Sequence, residues 1–209
     1  MKDILLIIFM ISLFYMSIVN RMRGYVKILA AQGVIMFFVA LLQLNEVNVL
    51  NLVWILIETI VFKSIVVPYF LFRIIKRNNI TREAEPFLPY FASLLITTAI
   101  VVVTILLAGA VSDTYLDKMF FVVALSSIFF GLYFIASRRK LLSHVMGYIV
   151  IENGVFILSL AVGNEMPLLV NLGVLLDIFA SVLILGIFVN KIGDVFKDTD
   201  VDNLTELKD

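Results

Sequence analysis

Seven runs of apolar residues, each long enough to cross a bilayer, follow one another with almost no chain between them. They lie near 4–20, 25–43, 50–73, 88–109, 119–137, 142–162 and 168–189. A transmembrane helix needs about 17–25 predominantly apolar residues, so the pattern predicts an all-α, polytopic membrane protein of about seven spans. A soluble domain is excluded on the same ground: 62% of the 209 residues are hydrophobic and 15% are charged, against about 25% charged in soluble domains. The joints end in breakers or charges, such as Asn45-Glu46, Pro86 to Pro89, Asp113 to Lys118 and Asn164-Glu165-Met166-Pro167. None of them is a domain linker.

The basic residues alternate sides. Arg21, Arg23 and Lys27 follow the first predicted helix, Arg73, Lys76, Arg77 and Arg82 the third, Arg138, Arg139 and Lys140 the fifth, and Lys191, Lys197 and Lys208 the seventh. Only Lys2 and Lys118 fall on the other side, and Lys63 lies within a span. Because Lys and Arg are retained on the cytoplasmic face, the chain is expected with its N-terminus out and its C-terminus in. The first helix lacks a basic leader and an Ala-x-Ala-type site, so it reads as a retained span. Residues 194–209 form an acidic cytoplasmic tail, read as a solvated end, with a dock for a basic partner as the alternative.

The composition narrows the chemistry. There is no Cys and one His, His144, while Lys+Arg and Asp+Glu balance at sixteen each. The chain therefore carries no thiolate set for an iron–sulfur cluster, no paired histidines for haem and no zinc set. Nor is there a basic patch of the kind that binds nucleic acid. No Ser/His/Asp constellation, phosphate loop or metalloprotease motif marks an active site of its own.

Four ionisable residues fall inside the spans: Glu58 and Lys63 in the third, Glu152 in the sixth and Asp177 in the seventh. Each costs roughly 2.5–3.5 kcal/mol at a helix centre on insertion scales, so each needs a partner, and such groups mark ion or proton pathways by default. Glu152 and Asp177 lie at similar depth on helices joined by a short turn. Asp177 shares its face with Gly173 and Ser181, a small and polar stripe suited to close helix contact. Beside Glu152, Asn153 is placed to bond a neighbouring helix. Glu58 and Lys63 are five residues apart, which in an α-helix separates them by about 140°, so each is expected to meet another helix. Pro68 leaves the Ser64 carbonyl without its helical donor, which predicts a kink beside Lys63. His144 reads as an interfacial residue or a proton entry point.

A faint internal repeat accompanies these residues. The spans 1–3 and 5–7 share an orientation; Gln32-Gly33-Val34 resembles Glu152-Asn153-Gly154-Val155, and Asn51-Leu52 resembles Asn171-Leu172. Two parallel three-helix units are suggested, with Gln32 standing where the second unit has an acid.

The run Glu152-Asn153-Gly154, then Glu165-Met166-Pro167-Leu168, then Gly173 to Asp177, resembles component E of hydrogenase-4-type membrane complexes, as found in formate hydrogenlyase-type assemblies. The Lys63 to Pro68 stretch fits as well. In that family the last three helices are similar to the K subunit of respiratory complex I and the C subunit of multi-subunit sodium/proton antiporters. The resemblance implies a four-helix part over 1–110, a K-like part over 111–193 and the tail 194–209. It implies carboxylates at Glu152 and Asp177 in a polar chain along the membrane midplane, with Asp177 one methylene shorter than the Glu typical of complex I. It implies a non-redox subunit of a prokaryotic inner membrane complex, beside antiporter-like subunits, with nickel–iron and iron–sulfur centres in a cytoplasmic hydrogenase module. Glu58 and Lys63 join the pathway set, with Gln32, Asn153, Ser181, Ser64 and His144 in support. A purely structural spacer and a stand-alone secondary ion transporter are the alternative readings.

Overall fold

The computed structural model describes residues 1–43, 52, 53, 55–77, 88–111 and 116–161. Every regular element in them is a helix. In order these are α1 (Lys2–Ile18), α2 (Met22–Gln43), α3, α4 (Tyr90–Ala110), α5 (Lys118–Ser137) and α6 (Leu141–Ala161). α3 is wound as a π-helix over Leu56–Val66 and continues as an α-helix over Val67–Arg77. α2, α4, α5 and α6 are each long and apolar enough to cross a membrane. The expected seventh helix, with Asp177 and Ser181, lies outside the described residues, as does the tail 194–209.

The helix ends follow from local chemistry. The Asp117 side chain caps α5 by accepting from the backbone N–H groups of Met119 (3.1 Å) and Phe120 (3.5 Å), which would otherwise have no partner. The Asp117 N–H donates to the Ala161 carbonyl at 3.0 Å, closing α5 and α6 into a hairpin. Pro89, which cannot continue a helix backwards, stands immediately before α4.

Small residues let the hairpin close. A methyl group on Gly131 would lie 2.8 Å from the Gly147 carbonyl oxygen, and one on Gly154 would lie 2.9 Å from that of Ala124. At these glycines the facing backbone and the side chains of Ile128, Ile135 and Ile151 fill the space a side chain would take, the usual device where lipid tails give no hydrophobic drive to pair helices. α1 packs on α2, α4 and α5, and α2 packs on α3 and α6.

α4 is turned opposite to a helix of a soluble protein. Its buried residues are Ser93, Thr97, Thr104 and Ala108, while Phe91 is 72% and Leu106 is 68% exposed. The hydroxyls find partners inside: Thr104 with Ser126 of α5 at 2.7 Å, and Tyr133 donating to Ser93 at 2.8 Å. Polar-in and apolar-out is stable only with hydrocarbon outside.

Candidate functional site

Lys63 is the centre of the site. Its Nζ lies 2.5 Å from Glu152 Oε1 of α6 and 3.8 Å from Glu58 Oε1 of its own helix. All three residues are 6% exposed. The Lys63–Glu152 contact is a close ion pair between two helices. The ammonium also stands 4.7 Å from the ring centroid of Phe156, one turn along α6 from Glu152, so a π-face shares the cation.

The π winding explains how Glu58 reaches Lys63. In an α-helix the two would point apart, and the expectation that each meets only another helix rests on that geometry. A π turn closes its hydrogen bond five residues back, as the Val67 N–H does on the Phe62 carbonyl, so residues five apart share a face. Lys63 thus has one carboxylate on its own helix and one across the bundle. The π segment ends two residues before Pro68, which has no N–H to give the Ser64 carbonyl.

Gly33 brings α3 to this depth. A methyl group there would lie 3.1 Å from the Thr59 carbonyl oxygen and 3.0 Å from the Ser64 backbone nitrogen. Ser64 secures the approach by donating to the Ala30 carbonyl at 3.0 Å. Beside it, Asn153 Nδ2 donates to Gln32 Oε1 at 3.1 Å and Gln32 Nε2 donates to Ser12 Oγ at 2.8 Å. These bonds string α6, α2 and α1 together next to the ion pair. Two acceptors stay open: Glu152 Oε2 and Asn153 Oδ1 have no hydrogen-bond partner among the described residues.

Of the residues expected from sequence, the structure brings together Glu58, Lys63 and Glu152, with Gln32, Asn153 and Ser64 around them. His144 stands apart. Its Nε2 is 2.8 Å from the Arg138 carbonyl oxygen in the α5–α6 turn, and about two helical turns separate it from Glu152. Asp177 and Ser181 lie outside the described residues. The sequence matches Gln32 with Glu152, whereas in the structure Gln32 bonds Asn153, one residue on.

Ser12 and Arg138 are what the sequence did not single out. A serine within a span is unremarkable, and only the long-range partner Gln32 reveals it. Arg138 belongs to the basic cluster after α5, yet it is 2% exposed. Its guanidinium lies 4.9 Å from the Phe134 ring centroid and 5.7 Å from that of Tyr25, and Nη2 donates to the Ser17 carbonyl at 3.2 Å.

Residues 119–209 match the family model of NADH-ubiquinone/plastoquinone oxidoreductase chain 4L. The chain is 26% identical over 191 residues to the uncharacterized protein Rv0085 of Mycobacterium tuberculosis, covering 90% of this chain and 87% of that protein. It is 34% identical over 86 residues to hydrogenase-4 component E of Escherichia coli K12 and of Shigella flexneri, covering 41% of this chain and 40% of those proteins. No solved structure matches the chain. With only helices among the regular elements of the described residues, four of them of membrane length, the chain is thus similar over residues 119–209 to chain 4L of complex I-like oxidoreductases and over 86 residues to hydrogenase-4 component E.

Proposed function

We propose that this chain is a non-redox membrane-arm subunit of a hydrogenase-4-like or complex I-like ion-translocating oxidoreductase, and that Glu58, Lys63 and Glu152 form part of its proton pathway at the membrane midplane. The observation that carries the reading is the Lys63–Glu152 contact, a buried ion pair made between two helices near mid-span. One lysine balances one carboxylate, and the group holds two. A proton arriving at Glu152 loosens its hold on Lys63 and turns the ammonium towards Glu58; its departure reverses the move. Glu152 Oε2, which is open among the described residues, is where the path continues towards Asp177.

In this reading the chain has seven spans, with its N-terminus outside and its tail in the cytoplasm of a prokaryotic cell whose inner membrane holds it. The K-like part starts near residue 111. Antiporter-like subunits flank it within the bilayer, and a cytoplasmic hydrogenase module carries the nickel–iron and iron–sulfur centres. What supports the division of labour is the absence of Cys and of a second His in the sequence. Redox work elsewhere shifts the local field, and the buried acids answer by changing protonation.

The test is Glu152→Gln in the intact complex, with hydrogenase turnover measured alongside proton uptake in inverted vesicles. Loss of uptake per electron, with turnover retained, is expected. Unchanged uptake overturns the pathway role and leaves Glu152 a structural partner of Lys63.

A further inference from the structure

Where α2 meets α6 and α1 meets the end of α5, one sequence spacing recurs. Asn153 bonds Gln32 at 3.1 Å, the Ser143 hydroxyl approaches Met22 Sδ at 3.8 Å, and Arg138 bonds the Ser17 carbonyl at 3.2 Å; the two members of each pair are 121 residues apart. A constant difference is the mark of parallel elements in register. Antiparallel helices would hold the sum of the two numbers constant instead, and unrelated helices neither.

Burial repeats at the same interval. Adding 121 to each buried position of α1 (Leu6, Phe9, Leu13, Met16 and Ser17) gives a buried residue at or just after α5. The buried positions of α2 land on buried residues of α6 in the same way, except Val39, whose counterpart Leu160 is half-buried. A shift of 120 fits less well: Phe9, Leu13 and Met16 would fall on Phe129, Tyr133 and Ala136, and Ile28, Val39 and Ala40 on Tyr148, Ser159 and Leu160, none of which is buried. The interval of 121 also aligns Gln32-Gly33-Val34 with Asn153-Gly154-Val155, an amide followed by the same two residues.

We infer that the helices of residues 2–77 are a second copy of the unit to which residues 118–161 belong, docked to it in parallel and in register. The Lys63–Glu152 site then lies on the seam, with each copy supplying one half. The inference extends to the first half of the chain the kinship that the family match finds only from residue 119 onward. It also explains why one acid is buried where its counterpart position is bare. Glu152 corresponds to Ala31, which is exposed; among the described residues, the third helix of the first copy packs beside Glu152 and brings the lysine. Gln32 and Asn153 are positioning residues, since a slip of one helical turn, about 5.4 Å, would carry Lys63 away from Glu152.

The sequence has no cysteine, so in-register contact is testable in the full chain in native membranes. The in-register pairs are Met22→Cys with Ser143→Cys and Gln32→Cys with Asn153→Cys. The displaced pairs are Met22→Cys with Met146→Cys and Gln32→Cys with Ile149→Cys. After copper–phenanthroline oxidation, mass spectrometry of linked peptides is expected to find the in-register pairs linked at least tenfold more than the displaced ones. Displaced pairs that link as well, or in-register pairs that do not link, overturn the inference. The exchange Gln32→Asn with Asn153→Gln checks it without thiols. Equivalent positions predict membrane levels and thermal stability within twofold and a few degrees of the unaltered chain, whereas a swap as damaging as Gln32→Leu alone overturns it. Neither readout depends on ion flux, so this inference and the proton-pathway reading fail separately.

Discussion

Lys63 holds Glu152 at 2.5 Å across the bundle and Glu58 at 3.8 Å along its own helix, so a single cation ties two helices that the chain places far apart. Its stability consequence is one-sided. Bringing charges out of water is costly, and a buried pair returns little beyond that cost while both partners are present.

Removing one partner strands the other. In a Glu58→Gln background, which leaves one carboxylate for one lysine, Lys63→Met is expected to destabilise the protein by about 3–5 kcal/mol, and Glu152→Leu by a similar amount, because each leaves an uncompensated buried group. The double variant recovers most of the loss, since an apolar pair costs nothing to desolvate. Thermal unfolding in mild detergent across the four-member cycle checks this; additive losses would show that the two side chains do not depend on one another.

Gly33 and Gly109 make opposite predictions from the same residue type. A side chain at Gly33 meets the backbone of α3 at 3.0–3.1 Å, whereas nothing lies within 4 Å of one at Gly109. Gly33→Val is therefore expected to push α3 off α2, separate Lys63 from Glu152 and lower the amount of intact protein several-fold. Gly109→Val should leave it within about 0.5 kcal/mol of the unaltered chain, as for substitutions away from special features. Fluorescence-detected size exclusion of tagged variants distinguishes the two.

How much of this was legible in the sequence depends on whether a residue announces itself by cost. Glu58, Lys63 and Glu152 do, because a charge in a span demands a partner. The six described helices also fall where the apolar runs predict them. The partnership of Glu58 with Lys63 was not readable, since it needs π winding, and α-helical geometry puts residues five apart on different faces. Ser12 gives no signal because a hydroxyl can satisfy itself on its own helix, as Ser17 does on the Phe14 carbonyl at 2.7 Å. That Gln32 meets Asn153 and not Glu152 was not readable either, because an acid and an amide stand side by side there and only the bond to Gln32 selects between them.

Arg138 is a case where charge alone misleads. It counts with Arg139 and Lys140 as a retained basic cluster, but its planar group rests near the rings of Phe134 and Tyr25 and bonds the Ser17 carbonyl. A lysine keeps the charge and loses the planar stacking. Arg138→Lys is expected to cost about 1–3 kcal/mol, read as a lower unfolding temperature, while an Arg77→Lys variant, at an exposed position, with unchanged stability in parallel would locate the effect at the stacked position.

Orientation gives the last prediction. The basic starts and ends of helices converge on one face: Arg23 and Lys27 of α2 and Lys76 of α3 line, with Phe72, a cavity of about 430 Å³. At the other end of α2, Lys2 donates to Gln43 at 2.7 Å, which sets the beginning of α1 on the opposite face. If retention of Lys and Arg fixes the insertion, the cavity face is cytoplasmic. With no native cysteine to interfere, Lys118→Cys and Arg77→Cys, both at exposed positions, can be treated with a membrane-impermeant maleimide on intact spheroplasts. Lys118→Cys is expected to react at once and Arg77→Cys only after the membrane is opened. The reverse pattern would invert the topology and move the tail of residues 194–209 outside, away from any cytoplasmic hydrogenase module.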